Sequence, residues 1–336
     1  MNTVLRLHSR PTGAARLDNF TITEEPLPPL ADGQARIRNF LLSVDPTLRI
    51  WMSDQPQYMP PVAIGAPMRC AGLGVVEESR CDALPVGAVV TGLVNWQERW
   101  IAQEGEATVL PALPGVPWRT WLGPLGMTAG LTAYFGLEPL ALKAGETLVI
   151  TGAAGAVGSL VGQLGKRAGC RVIGLAGGPE KCSRVVQRYG FDGCIDYKNE
   201  DVGAALDRHC PNGIDAVFEN VGGPILNQLL LRMNNFSRLS LCGLISQYDA
   251  ERAPGPWAFP MILMRRIKVQ GFIITDAIPR FGEALGALIP LVMGGQLQFD
   301  YHEVEGPLPG VVDALNLMLQ GGNHGKTLYR LGPDPV

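Results

Sequence analysis

Histidine is the scarcest reactive residue of this chain. His8, His209, His302 and His324 are the only four in 336 residues, and none has a second ligand at helical or hairpin spacing. A metal centre needs several such side chains converging, so the scatter argues against a metal enzyme and no metal ligand is expected. The seven cysteines, at positions 70, 81, 170, 182, 194, 210 and 242, include no C-x-x-C pair. An odd, unclustered set argues against disulfides and clustered zinc, and each cysteine is expected to be a small buried apolar residue. A surplus of either charge is lacking too. With 28 Lys and Arg against 31 Asp and Glu the formal charge is -3, which gives no reason to expect nucleic acid or an anionic membrane as partner. Long hydrophobic runs are also missing. The opening MNTVLRLHSR has no continuous apolar core, so no secretory signal is expected. The longest apolar tract, near residues 148–169, carries small residues with Gln163 and Lys166 and is a poor membrane span. A cytoplasmic protein is the resulting expectation. There is no internal repeat and no low-complexity segment.

Glycine, by contrast, is abundant, with 42 residues, and three of them are spaced for a purpose. In LVITGAAGAVGSLVGQLGKRAG (148–169), the run Leu148, Val149, Ile150 suits a strand buried on both faces. Gly152, Gly155 and Gly158 follow at intervals of three, where a missing side chain lets the backbone turn sharply and approach a ligand. From Ser159 to Lys166 the residues Leu160, Val161 and Leu164 share one helical face. The first N–H groups of that helix, including that of Val157, would point at an anion filling the turn. The usual G-x-G-x-x-G is modified, since Ala153, Gly155 and Gly158 occupy its three slots. Strand before and helix after make dinucleotide binding the favoured reading, with a turn used only for packing as the alternative.

At this length two domains are the default expectation. Residues 1 to about 120 hold short β-like runs broken by Pro and Gly, at 34–39, 73–77 and 88–94, as in a mostly antiparallel domain. From about 125 to 290 strands alternate with helices, with strand signals at 148–150, 171–175, 193–196, 216–219, 238–242 and 269–272. That alternation predicts a doubly wound parallel sheet. The tail returns to short runs and one amphipathic helix over 308–320, with Val311, Val312, Leu315 and Leu319 on one face. The predicted fold class is α/β: a Rossmann domain, 125–298, inserted in a β-rich domain built from 1–124 and 299–336. An NAD site presents an acid at the end of the second strand, whereas an NADP site presents a base. Here that strand ends in Gly174, Leu175, Ala176, Gly177, Gly178 without an acid, and Lys181 and Arg184 follow. NADP is favoured, while Glu180 keeps NAD open.

Eight stretches together carry a family resemblance over nearly the whole chain: LLSVDPTLR (41–49), GLGVVEES (72–79), LGMTAGLTAYFGL (125–137), GAAGAVGS (152–159), FENVGG (218–223), CGLISQYD (242–249), RRIKVQGFII (265–274) and GGNHGKTLY (321–329). The sequence resembles the zinc-independent medium-chain dehydrogenases/reductases, and among them the prostaglandin, alkenal double-bond and curcumin reductase group. The resemblance implies a GroES-like substrate domain, NADP(H) as cofactor, a homodimer, and hydride delivery to the carbon–carbon double bond of an α,β-unsaturated ketone or aldehyde. It places Lys181 and Tyr197 at the adenosine phosphate, Tyr248 beside the nicotinamide ribose and Asn323 near the nicotinamide. Asn220, in FENVGG, belongs with Gly152, Gly155, Val157, Gly158 and Arg184 in the expected cofactor site. Zinc-dependent relatives carry a cysteine near position 43 and Gly-His-Glu near 65, where this chain has Ser43 and Gly65-Ala66-Pro67.

One departure concerns the substrate. The family usually reads Asp-Pro-Tyr-Met-Arg where this chain has Asp45, Pro46, Thr47, Leu48, Arg49, so a tyrosine that borders the substrate is lost. Tyr58 matches a tyrosine that some members place in the pocket, and it is the first candidate to stabilise the developing enolate. The nicotinamide ribose 2′-hydroxyl is the second candidate, with Tyr248 holding that ribose. An exposed loop aromatic is the rival reading of Tyr58. Arg49, Trp51 and Met68 are candidate pocket residues, with pairing to Asp45 the alternative for Arg49 and core packing the alternative for Trp51 and Met68. The loops at 45–68 and 250–262 are expected to shape the pocket. A quinone reductase and a non-catalytic NADP-binding protein remain alternatives.

Overall fold

The chain opens on an antiparallel pair, β1 (Asn2–Leu7) and β2 (Phe20–Glu25), and continues through β3 (Gln34–Val44), the short helix α1 (Thr47–Trp51), β4 (Ala71–Ser79), β5 (Val89–Leu93), β6 (Arg99–Gln103) and β7 (Ala107–Val109). After α2 (Thr132–Leu137), strand and helix alternate as β8 (Thr147–Thr151), α3 (Ala156–Arg167), β9 (Arg171–Ala176), α4 (Pro179–Gln187), β10 (Gly193–Asp196), α5 (Val202–His209), β11 (Ile214–Glu219), α6 (Gly223–Leu230) and β12 (Met233–Leu241). Then come α7 (Pro260–Arg265), β13 (Lys268–Gly271), α8 (Phe281–Met293), β14 (Tyr301–Glu305), α9 (Val311–Leu319) and β15 (Lys326–Arg330). This computed structural model describes residues 1–248 and 255–335. Asp249 of the CGLISQYD stretch and positions 250–254 of the expected pocket loop lie outside the described residues. The chain forms two units, one of 1–122 with 301 onward and one of 123–300.

In the first unit seven strands form one sheet in the order β14-β15-β3-β4-β5-β7, with β6 also paired to β3. All of its pairings are antiparallel except β14 with β15. The long central strand β3 explains the arrangement. Its first half alternates buried and half-buried residues, whereas Asn39 to Val44 are buried throughout, so the strand runs from a half-covered sheet into the interior. The run expected at 34–39 is therefore extended, because Phe40, Leu41 and Leu42 have neighbours on both faces. Leu5, Ile37, Leu42, Trp96 and Tyr329 are among the buried members of this unit's core.

In the second unit six strands, all parallel, run β10-β9-β8-β11-β12-β13. Numbered along the unit this is 3-2-1-4-5-6, the doubly wound Rossmann order, whose strand direction of travel switches between β8 and β11. Both strands are inside the sheet, and β8 is buried at all five positions. Helix α3 lies close against β8 and the α4–β10 connection because it has glycine where it touches. A Cβ on Gly162 would stand 1.8 Å from Phe191 Cζ, and one on Gly165 would stand 2.6 Å from Leu148 Cδ2. Gly162→Ala is therefore expected to destabilise the protein by about 1–3 kcal/mol through overpacking, although Ala favours helix over Gly by about 1 kcal/mol. Urea denaturation measures the balance, and an unchanged midpoint would show that the Phe191 ring yields.

Three expectations are corrected. The strand signal at 238–242 belongs to a longer β12 that starts at Met233. Its register against β11 slips between Ile214 and Ala216, and Phe236 adopts a positive φ of 63°, so the alternation is broken over its first half. The helix expected over 308–320 begins as a 3-10 turn, Leu308–Gly310, and becomes α-helical only from Val311. The cysteines are not uniformly buried: Cys182, Cys194 and Cys242 are half-exposed, unlike Cys70, Cys81, Cys170 and Cys210.

Candidate functional site

The switch between β8 and β11 puts two functional stretches side by side. At the end of β8, Gly152 adopts a φ of +63°, a left-handed conformation that glycine takes without a side-chain penalty. Gly155 caps α3 in extended conformation, and its carbonyl accepts a helical bond from Ser159 N–H at 3.1 Å. The amides of Ala156, Val157 and Gly158 precede it at the positive end of the helix. Gly158 is required for space, since a Cβ there would stand 2.4 Å from the Gly152 carbonyl oxygen. The alanine in the first glycine slot also has a reason. Ala153 is fully buried, and its methyl lies 2.7 Å from where a Cβ on Gly174 would be, so the needed clearance is supplied by β9 instead.

Across the switch, Asn220 ties the two strand ends together. Its backbone N–H donates to Thr151 Oγ1 and its Nδ2 to the Thr151 carbonyl, both at 2.7 Å. Glu219 beside it is completely buried, and its Oε1 accepts from Val221 N–H at 2.6 Å and Gly222 N–H at 2.5 Å. Burial pushes its carboxyl up to about 6, against the opposing pull of those hydrogen bonds. A raised acid stabilises the fold fully below its unfolded value, and this contribution is lost as pH climbs through the folded one. Between pH 4.5 and 6 the loss amounts to about 2 kcal/mol. Glu219→Gln is expected to remove that step from a plot of unfolding free energy against pH. A slope identical to that of the parent would show that Glu219 is not its source.

At the end of β9, the Gly177–Gly178 turn is braced from β10. Asp196 Oδ1 accepts from Gly178 N–H at 2.7 Å and Lys198 N–H at 3.1 Å, and its Oδ2 accepts from Asn199 at 2.6 Å. Gly177 leaves room for its neighbours, because a Cβ there would lie 2.7 Å from the Tyr197 hydroxyl and 2.9 Å from Lys198 Cε. Lys181 is half-buried in the first turn of α4. Burial lowers its pKa, the Lys198 ammonium lowers it further, and Glu180 raises it. Two neighbouring ammonium groups past the ends of β9 and β10 form a place for a multiply charged anion. Lys198 is a functional candidate that the sequence reading missed. Its signal was that it stands two residues past β10, the strand beside β9. Arg184 is corrected: its Nη1 meets Asp300 at 2.9 Å and its Nη2 meets Glu180 at 3.5 Å. Asp300 also takes Arg188 at 2.8 Å and Tyr189 at 2.8 Å. Arg184 thus ties α4 to the end of its unit instead of pairing with Lys181 around one phosphate.

Tyr248 lies after β12, and its hydroxyl accepts from Leu244 N–H at 3.1 Å. That bond folds the 243–248 segment back on itself near Asn220, whose carbonyl receives the Ile245 N–H at 3.0 Å. Gly152, Gly155, Val157, Gly158, Lys181, Tyr197, Asn220 and Tyr248 therefore all belong to the second unit and stand at or just beyond the carboxyl ends of its strands, where open α/β sheets bind ligands.

Tyr58 belongs to the first unit and is 43% exposed, yet its hydroxyl is held. Trp51 Nε1 donates to it at 2.9 Å, and Thr47 Oγ1 lies 2.6 Å away. The threonine that replaces the usual tyrosine thus becomes a hydrogen-bond partner of Tyr58. Burial raises the Tyr58 pKa, while the bonds to Thr47 and Trp51 oppose the rise, so the phenol stays protonated at neutral pH. Arg69, missed by sequence reading, sits over the Trp51 ring at 5.4 Å. Two pocket expectations are corrected. Met68 is fully buried in the core of the unit. Arg49 is 5% exposed, with Nε on the Gly13 carbonyl at 3.0 Å and Nη2 on that of Pro11 at 3.1 Å, so it braces α1. Asn323, also in this unit, donates from Nδ2 to the Gly325 carbonyl at 2.9 Å. Ser43, at the position of the zinc-ligand cysteine, donates to Asp45 Oδ2 at 2.5 Å, and the other carboxylate oxygen binds the buried Lys326 ammonium. Among the described residues no three His, Cys, Asp or Glu side chains group closely enough to hold a metal ion.

A parallel sheet of this order, with a glycine turn at its switch point and ammonium groups past the neighbouring strand, defines a dinucleotide-binding protein of the Rossmann class. Residues 4–110 match the family described as the N-terminal domain of oxidoreductase, and residues 156–289 the family described as zinc-binding dehydrogenase. The chain is 39% identical over 336 residues to the NADPH-dependent curcumin reductase of Escherichia coli (strain K12), covering 98% of this chain and 96% of that one. It is 35% identical over 301 residues to the NADP(+)-dependent 2-alkenal reductase of Nicotiana tabacum, covering 89% and 87%. The crystal structure of CurA from Vibrio vulnificus in complex with NADPH superposes with a TM-score of 0.93 at 40% identity, over 99% of this chain and 100% of that one. The chain belongs to the zinc-independent medium-chain dehydrogenase/reductase family.

Proposed function

We propose that this protein is an NADPH-dependent reductase of the carbon–carbon double bond in α,β-unsaturated ketones and aldehydes. The observation that carries the cofactor choice is the Lys181–Lys198 pair past β9 and β10, where an NAD site would offer a carboxylate. The glycine turn and the amides of Ala156, Val157 and Gly158 would hold the pyrophosphate, with Lys181, Lys198 and Tyr197 at the 2′-phosphate, Tyr248 at the ribose and Asn323 at the nicotinamide end. Bound NADPH supplies a hydride to the β-carbon of the substrate. As charge develops on the carbonyl oxygen, the Tyr58 O–H donates to it, while Trp51 N–H donates into the phenol oxygen and the Thr47 hydroxyl rotates to do the same. The α-carbon then takes a proton from a tyrosine or from water. The domains in this reading are 1–124 with 299–336, which carries Tyr58 and Asn323, and 125–298, which carries the pyrophosphate and 2′-phosphate contacts.

The purified protein, mixed with NADPH and either 3-nonen-2-one or a naphthoquinone, tests this reading. Consumption of NADPH with formation of the saturated ketone is expected, at a higher kcat/KM than for the quinone. Preference for the quinone would make it a quinone reductase, and binding of NADPH without turnover of either would make it a non-catalytic binder. We also propose a cytoplasmic homodimer. Supporting the dimer, the edge strand β13 is exposed at every position, with Trp257, Phe259, Leu263, Met264 and Ile278 each more than half exposed nearby in sequence, an apolar surface of the kind that partners cover.

A further inference from the structure

Two cysteines outside the proposed chemistry stand closer together than any other thiols described. Cys182 is the fourth residue of α4 and Cys194 the second of β10. The Cys194 thiol donates to the Cys182 sulfur at 2.9 Å, only about 0.9 Å beyond a covalent S–S bond. Both side chains are partly open to solvent. The hydrogen bond from Cys194 favours the Cys182 thiolate and lowers its pKa, although burial and the Asp196 and Glu200 carboxylates oppose this. The thiolate is the nucleophilic form, so the pair comprises an attacking sulfur with a resolving sulfur 2.9 Å away. Its neighbours are functional candidates: Lys181 precedes Cys182, and Tyr197 is near enough to feel the Cys182 charge.

We propose that Cys182 and Cys194 are a covalent modification site, a thiol pair that hydroperoxides close into a disulfide and that thiol reductants reopen. The Cys182 thiolate attacks the terminal oxygen of the hydroperoxide, forming S–O as O–O breaks, and the departing alkoxide takes a proton to leave as alcohol. Cys194 then attacks the Cys182 sulfur, forming S–S as S–O breaks, and the oxygen leaves as water with the Cys194 proton. The two thiols lose two electrons, and the hydroperoxide gains them. Closure ties the first turn of α4 to β10, so Lys181 and Tyr197 are held by a fixed link. The effect on NADPH rests on the cofactor reading above; the disulfide itself does not.

The test is to treat the full-length protein with a small excess of hydrogen peroxide and record intact mass, thiol titration and peptide maps. A mass loss of about 2 Da, disappearance of two of the seven thiols and a Cys182–Cys194 cross-linked peptide are expected, all reversed by dithiothreitol. Cys194→Ser should abolish the mass loss and trap a dimedone-reactive sulfenic acid on Cys182. Cys182→Ser should abolish both signals, with melting curves confirming that each variant is folded. A cross-link to another cysteine, or stepwise oxygen addition in the unmodified sequence without a disulfide, overturns the proposal. The oxidised protein should also show a several-fold higher KM for NADPH at unchanged kcat. If the disulfide forms and KM stays the same, the coupling to the phosphate end is overturned while the modification site stands.

Discussion

Tyr58→Phe is expected to lower kcat for an enone by about 100- to 1,000-fold, the cost of losing one donor to a developing oxyanion, and to leave NADPH affinity unchanged. The substitution removes a single oxygen. That oxygen is the point where the Trp51 N–H and the Thr47 hydroxyl converge, so the phenol is oriented before substrate arrives. Its pKa is raised by burial, which keeps the proton available as a hydrogen-bond donor at neutral pH. The ring stays, so packing against α1 is preserved. Steady-state kinetics with 3-nonen-2-one and calorimetric titration with NADPH separate the two effects. A kcat within twofold of the parent would remove Tyr58 from the chemistry and leave the enolate to another donor.

The second large effect belongs to cofactor choice. Lys181→Ala is expected to raise KM for NADPH by about 10- to 100-fold, the loss of a hydrogen bond between charged groups, while KM for NADH changes little. Lys198 remains beside the site and sets a limit on the loss, since one ammonium still faces the phosphate. Arg184 cannot substitute, because its guanidinium is engaged by Asp300 at 2.9 Å. Equal losses for both cofactors would show that Lys181 supports the shape of α4 and does not read the phosphate.

The strand, glycine turn and helix start at 147–167 were legible because their signals are local. A strand, a turn with glycines three apart and a helix start occupy consecutive positions, and their conformations follow from neighbouring side chains within a few residues. Tyr197 came from the family resemblance alone, whereas Lys181 was reached by counting past the second strand. Arg184 was misassigned by the same method, since the acid that engages it, Asp300, is 116 residues away and no periodicity reports it. Met68 and Arg49 failed for a related reason: a hydrophobic or basic residue near a motif reads the same whether it faces a ligand or the core.

By itself the sequence determined the doubly wound fold class, the glycine turn and the preference for a phosphate-bearing dinucleotide, because hydrophobic period and glycine spacing act over one strand and one helix at a time. Only the tertiary structure decided which side chains meet. It set Thr47 and Trp51 on the Tyr58 hydroxyl, Lys198 beside Lys181, Ala153 against Gly174, Lys326 on Asp45 across 281 positions, and the Cys194 thiol on Cys182. Those contacts join residues of separate elements, and the free energy that selects them comes from burial and hydrogen bonding shared across the whole unit, which no single stretch of sequence contains.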